Sequence, residues 1–116
     1  MQRENLKVSR KGEFLMAEEY NAVTTLQIQP DKVDDFISAY KEMARTTEAQ
    51  GLKGARVLTD RTTGKVLLIA GWETEADARA FESSPAFQAA GANLASILTV
   101  PPAREYYEVS FEYEVS

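Results

Sequence analysis

Residues 65–91 read KVLLIAGWETEADARAFESSPAFQAAG. Lys65 to Glu73 is a nearly unbroken apolar run, which predicts a strand covered on both faces. Thr74 predicts a helix N-cap with Asp77 at N3, because a short hydroxyl side chain accepts from an orphan N–H of the first turn. Ala76, Ala80 and Phe81 supply the apolar side of that short helix. Ser84-Pro85 predicts a second start, a hydroxyl cap followed by proline at the first helical position, where no N–H is needed. This second piece extends to about Leu98. Phe87, Ala90, Gly91, Leu94, Ile97 and Leu98 form its inner face, and Pro101-Pro102 ends it. One strand thus feeds a helix broken into two parts.

Upstream of this stretch, Tyr20 to Gln29 is β-branched and aromatic and predicts a strand, with Ala22, Thr24, Leu26 and Ile28 on one face and Val23 and Thr25 on the other. Pro30-Asp31 breaks it. Asp31 is the expected N-cap of a helix over about 32–50, whose stripe is Val33, Phe36, Ile37, Tyr40, Met43, Ala44 and Thr47. Gly51 is the expected stop. Leu52 to Asp60 predicts a strand joined to the next by the hairpin loop DRTTGK, where Gly64 suits positive φ. Glu105 to Val115 alternates. Tyr107, Val109, Phe111, Tyr113 and Val115 point one way, and Glu108, Ser110, Glu112 and Glu114 form the expected wet face.

The order is βαββαβ, which predicts an α+β, ferredoxin-like domain: an antiparallel sheet with both helices on one face. The opposite face, with Val23, Thr25 and part of the third strand, is too apolar to be left in water. A patch of that kind marks an interface. The simplest expectation is a homodimer, sheet against sheet. Residues 1–15 carry Arg3, Lys7, Arg10 and Lys11 against Glu4 and Glu13. They are expected to be a flexible N-terminal extension, with residues 16–116 as the domain.

The 116-residue chain holds no cysteine and no histidine. The first absence removes disulfides, thiolate nucleophiles and cysteine metal sites. The second removes Ser-His-Asp and Cys-His catalysis, histidine-ligated metal or haem, and the usual base near neutral pH. Net charge is −5, so phosphate backbones are repelled and no nucleic acid partner is expected. No apolar run approaches the length of a membrane span. Nor is there a secretory leader, so a cytoplasmic protein is expected. GLKG at 51–54 leads into a strand and is no phosphate loop. Glu73, Glu75 and Asp77 crowd a helix N-terminus, where acids are favoured without any metal.

GWETEADARAFESSPAFQAAG resembles the signature stretch of antibiotic-biosynthesis-monooxygenase domains through Trp72, Thr74, Phe81, Ser84-Pro85 and Phe87. LQIQPDKVDDF and the tyrosine-rich last strand add to the resemblance, which covers about residues 20–115. It implies a homodimeric α/β barrel. It also implies a cofactor-independent monooxygenase, with neither metal nor flavin, acting on a small hydroxylated aromatic or quinol. The alternative is a non-catalytic or stress-associated dimer that binds a small aromatic or hydrophobic ligand in the same cavity. A haem-degrading branch is similar at PAFQAAG, but this chain has Gly91 where that branch places its haem-ligating histidine.

The resemblance puts Trp72 on the pocket wall, where it either stacks on a planar ligand or fills the sheet–helix junction. Tyr40 is either a donor to a substrate oxygen or a core tyrosine. Asn93 either orients a phenol or quinone oxygen or stands exposed on its helix. Trp72, Tyr40 and Asn93 are the candidate catalytic residues. Thr24 lies near a position that is polar in family enzymes, often asparagine. With Phe81, Phe87 and Gly91 it forms the candidate substrate-binding set. Arg79 either neutralises an anionic substrate or pairs with Glu75 and Glu82 on the surface.

Overall fold

A computed structural model of the chain describes residues 4–8, 14–16, 19–113 and 115. The elements are β1 (Glu4–Val8), β2 (Phe14–Met16), β3 (Tyr20–Gln27), a 3₁₀ turn (Pro30–Lys32), α1 (Val33–Thr46), β4 (Leu52–Asp60), β5 (Lys65–Trp72), α2 (Glu75–Glu82), α3 (Pro85–Leu94), β6 (Ala103–Glu108) and β7 (Phe111–Glu112). From β3 to β6 they realise the ferredoxin-like α+β order. Four strands pair in the order β4-β5-β3-β6, every neighbour antiparallel. Among the described residues no helix is long and apolar enough to cross a membrane.

The register decides which side chains share a face. Ala22, Thr24 and Leu26 of β3 lie opposite Ala70, Leu68 and Val66 of β5, and these turn toward the helices. At one end of this layer Leu26, Ile28, Phe36 and Val66 form the buried core, with Ile37, Tyr40, Leu94 and Leu98 packed around it. Each such side chain contributes roughly 1.5–3 kcal/mol by leaving water. The hairpin turn closes against this end. Gly64 has φ +81°, and a Cβ there would strike the Ile28 carbonyl oxygen, so only glycine fits.

The helix starts differ from one another. Asp31 lies inside the 3₁₀ turn and is not the cap of α1, whose N-terminus makes no side-chain cap bond. Proline at the head of the 3₁₀ turn takes over the start. α1 ends at Thr46, short of residue 50, because Thr46 Oγ1 bonds the carbonyls of Glu42 and Met43 at 3.2 Å each and Thr47 is extended. Gly51, at φ +81°, serves the turn into β4. Thr74 and Ser84 cap α2 and α3 as expected, accepting from the N–H groups of Asp77 and Phe87. α3 stops at Leu94, short of Leu98.

The last segment is two strands, not one. It breaks at Val109-Ser110, where the Val109 N–H donates to the Glu19 carbonyl at 3.0 Å. β6 stays on β3, while β7 leaves to pair with β1. The expected division of faces holds in part, since Glu108 and Ser110 are exposed and Val109 is half-buried. Arg104 and Tyr106 are half-buried, whereas Tyr107, Phe111, Tyr113 and Val115 are exposed. Tyr107, paired with Asn21, therefore faces away from the helices. Glu114, on the expected wet face, lies outside the described residues. Within the expected extension, β1 and β2 pair antiparallel in a second sheet, β2-β1-β7, which no pattern in residues 1–15 announced. Residues 1–3 and 9–13 lie outside the described residues.

Candidate functional site

At the other end of the sheet–helix layer the side chains are too small to meet. Ala22 and Ala70 face one another across β3 and β5, and Ala90 and Gly91 are the inward positions of α3. The result is a cavity of about 320 Å³ between sheet and helices, large enough for one or two rings. A Cβ added to Gly91 would meet nothing within 4 Å. At this position the backbone itself is the wall.

Aromatic side chains enclose one side. Trp72, the last residue of β5, is 3% exposed. Its ring lies 5.4 Å from that of Phe81, which meets the Phe87 ring edge-on at 5.7 Å. The cap of α3 positions this row. Ser84 Oγ accepts from the Phe87 N–H at 3.2 Å and donates to the Phe81 carbonyl at 2.5 Å, so one hydroxyl sets the α2–α3 corner between the two phenylalanines. Tyr40 enters from α1 with its ring 5.9 Å from Phe36, and burial raises its pKa. Its phenol therefore stays neutral at ordinary pH.

The structure brings together Trp72, Tyr40, Thr24, Phe81, Phe87 and Gly91. It does not bring Asn93 to them: Asn93 is exposed on α3 and does not line the cavity. Arg79 stays on the surface, bonded to Glu75 Oε2 at 2.7 Å and lying 4.5 Å over the Tyr106 ring. Among the described residues no three acidic side chains gather as a metal-ligand set.

The polar centre of the cavity is one that the sequence reading missed. Arg104 of β6 faces inward because it sits directly across from Thr24 in the strand register. Its Nε donates to Thr24 Oγ1 at 2.9 Å, and its guanidinium lies 4.2 Å over the Phe87 ring. Nη1 stands 3.8 Å from Glu82 Oε2, beyond hydrogen-bonding distance. Burial lowers the pKa of Arg104, and the Glu82 charge opposes that shift. The signal for Arg104 was its even-numbered place in the alternation of β6. It was hidden because the apolar odd positions look like the inner face.

The fold is shared with solved structures. A candidate antibiotic biosynthesis monooxygenase from Nitrosomonas europaea superposes with a TM-score of 0.68 at 15% identity, over 82% of this chain and 93% of that one. A conserved protein from Methanosarcina mazei Go1 gives 0.68 at 18% identity, over 78% and 92%. Rv0793 from Mycobacterium tuberculosis gives 0.65 at 16%, over 84% and 99%. No curated protein matches the chain. The family model described as antibiotic biosynthesis monooxygenase matches residues 9–93, most of the chain, and this protein belongs to that family.

Proposed function

We propose that this protein is a cofactor-independent monooxygenase acting on a small hydroxylated aromatic or quinol. The observation that carries the reading is the apolar cavity walled by Trp72, Phe81 and Phe87 with a half-buried arginine on its lining. Such a substrate carries its own reducing power. In its keto form a ring CH₂ becomes C=O. One atom of O₂ enters the carbon, the other leaves as water with the two hydrogens, and the substrate supplies all four electrons. The protein's part is to hold the ring away from water, orient it, and stabilise the anion from which an electron passes to O₂. Neither histidine nor cysteine is needed for that.

The reading includes a homodimer. Leu58 and Tyr107 are about half exposed on the sheet face away from the helices, in line with Leu67 and Asn21 of the neighbouring strands. A second copy would cover that face. Sedimentation velocity tests it: the expected species is a dimer that Leu58→Asp dissociates, and a monomer at all concentrations would refute it.

The test of activity uses Trp72, the single tryptophan. Quinols and hydroxyanthrone-like aromatics are expected to quench its fluorescence saturably, and the best ligand is expected to drive oxygen uptake. Saturable quenching without oxygen uptake would make the protein a carrier of such ligands instead.

A further inference from the structure

Glu82 ends α2 at the cavity wall. Its Oε2 is buried and accepts no hydrogen bond from any described residue. A buried carboxylate oxygen left in that state is costly unless a donor arrives. Arg104 cannot close the gap, because it is held elsewhere. Thr24 fixes its Nε, the Phe87 ring fixes its plane, and Nη1 stops 3.8 Å short. One acceptor and one cation thus stand side by side on a mostly apolar wall.

We propose that Glu82 and Arg104 together read two neighbouring oxygens on one edge of an aromatic ring, a hydroxyl that donates to Glu82 Oε2 and an adjacent oxygen that accepts from the Arg104 guanidinium. This deepens the oxygenase reading by naming the substrate's recognition edge, and it rests on that reading only for the chemistry that follows binding. The same contact orients the ligand. The O–H stays whole and donates to Glu82 Oε2, while Arg104 faces the neighbouring ring oxygen. A ring with no such pair of oxygens, or with both methylated, leaves Oε2 without a donor and gains only apolar burial.

The test uses 4-nitrocatechol, whose colour reports ionisation, and its dimethyl ether 4-nitroveratrole, which has no O–H. Both are titrated against the full chain, by Trp72 fluorescence and visible absorbance, at a pH where free 4-nitrocatechol is un-ionised. The catechol is expected to bind about tenfold or more tighter than the ether. Glu82→Gln, whose amide oxygen is a weaker acceptor than a carboxylate, is expected to lose most of that preference. Arg104→Met is expected to lose about tenfold in catechol affinity with ether binding unchanged, and Arg104→Lys, which keeps the charge on a different geometry, is expected to fall between. Equal affinity for the two probes, no binding of either, or a preference kept in full by Glu82→Gln would each overturn the inference. Oxygen uptake is measured separately. Selective binding of the catechol without uptake removes the oxygenase and leaves this site standing. Uptake that is indifferent to Glu82→Gln and Arg104→Met removes this site and leaves the oxygenase.

Discussion

Thr24 and Arg104 are direct partners across β3 and β6, and the Nε of one donates to the Oγ1 of the other at 2.9 Å. Thr24 is 6% exposed, so little water is at hand to replace that bond. Thr24→Val keeps the shape and removes the acceptor. The expected cost is about 1–2 kcal/mol, read from the midpoint of urea unfolding. A variant as stable as the parent would mean that Arg104 finds another acceptor.

The corner between α2 and α3 depends on Ser84. Ser84→Ala removes the cap of α3 and the bond to the Phe81 carbonyl together. Its expected cost is about 1–2 kcal/mol, against about 1 kcal/mol for Thr74→Ala, which loses a cap alone. Because Ser84 also sets Phe81 and Phe87 around the cavity, ligand affinity should fall with Ser84→Ala and hold with Thr74→Ala.

Tyr40 gives a pH dependence of defined sign. Burial raises its pKa in the folded state, so its contribution is fully present below the unfolded value of about 10. It is lost as pH rises through the folded value, because the ionised phenol favours the unfolded chain. Tyr107 is raised as well, chiefly by its hydrogen bond with Glu105. Unfolding free energy is therefore expected to fall above about pH 10, and Tyr40→Phe should make that fall shallower. An unchanged slope would place the titration elsewhere.

The small residues that open the cavity separate stability from binding. Gly91→Ala adds a Cβ with nothing within 4 Å and removes a glycine from a helix interior. It is expected to raise stability by about 0.5–1 kcal/mol. Ala70→Leu projects into the cavity from the floor. It should leave stability within about 1.5 kcal/mol and reduce quenching of Trp72 by aromatic ligands more than tenfold. Undiminished quenching would mean that the ligand sits elsewhere.

The order of elements was legible because it is written in local chemistry. Ser84-Pro85, Thr74 and Gly64 act on their own neighbours, and each does what its residue type allows. The aromatic wall was legible for the same reason: Trp72, Phe81 and Phe87 are large, and the resemblance marked them. Arg104 was not legible. Its role comes from a strand register linking residues 24 and 104, eighty positions apart, and local alternation pointed to the more apolar face of the last segment as the inner one. Glu82 was hidden by its neighbours, since beside Arg79 and Glu75 it looks like one more charge on a solvated helix. Asn93 shows the opposite failure. Helical spacing brings a residue near a face, but α3 ends at Leu94, and the turn before it leaves Asn93 exposed.

α3 roofs the cavity, and none of its residues is fully buried. α1, by contrast, anchors Val33 and Phe36 in the interior. The roof is thus a helix with no fully buried side chain, and it lies over the space a ligand would fill. Local opening of residues 85–94 should take much less free energy than global unfolding. Their amides should exchange hydrogen early, as one group, while those of β3 and β5 persist. A bound ring would supply the contacts that the small side chains omit, and its affinity would then appear as slowed exchange in this one helix. The element that admits the ligand would be the one the ligand holds shut.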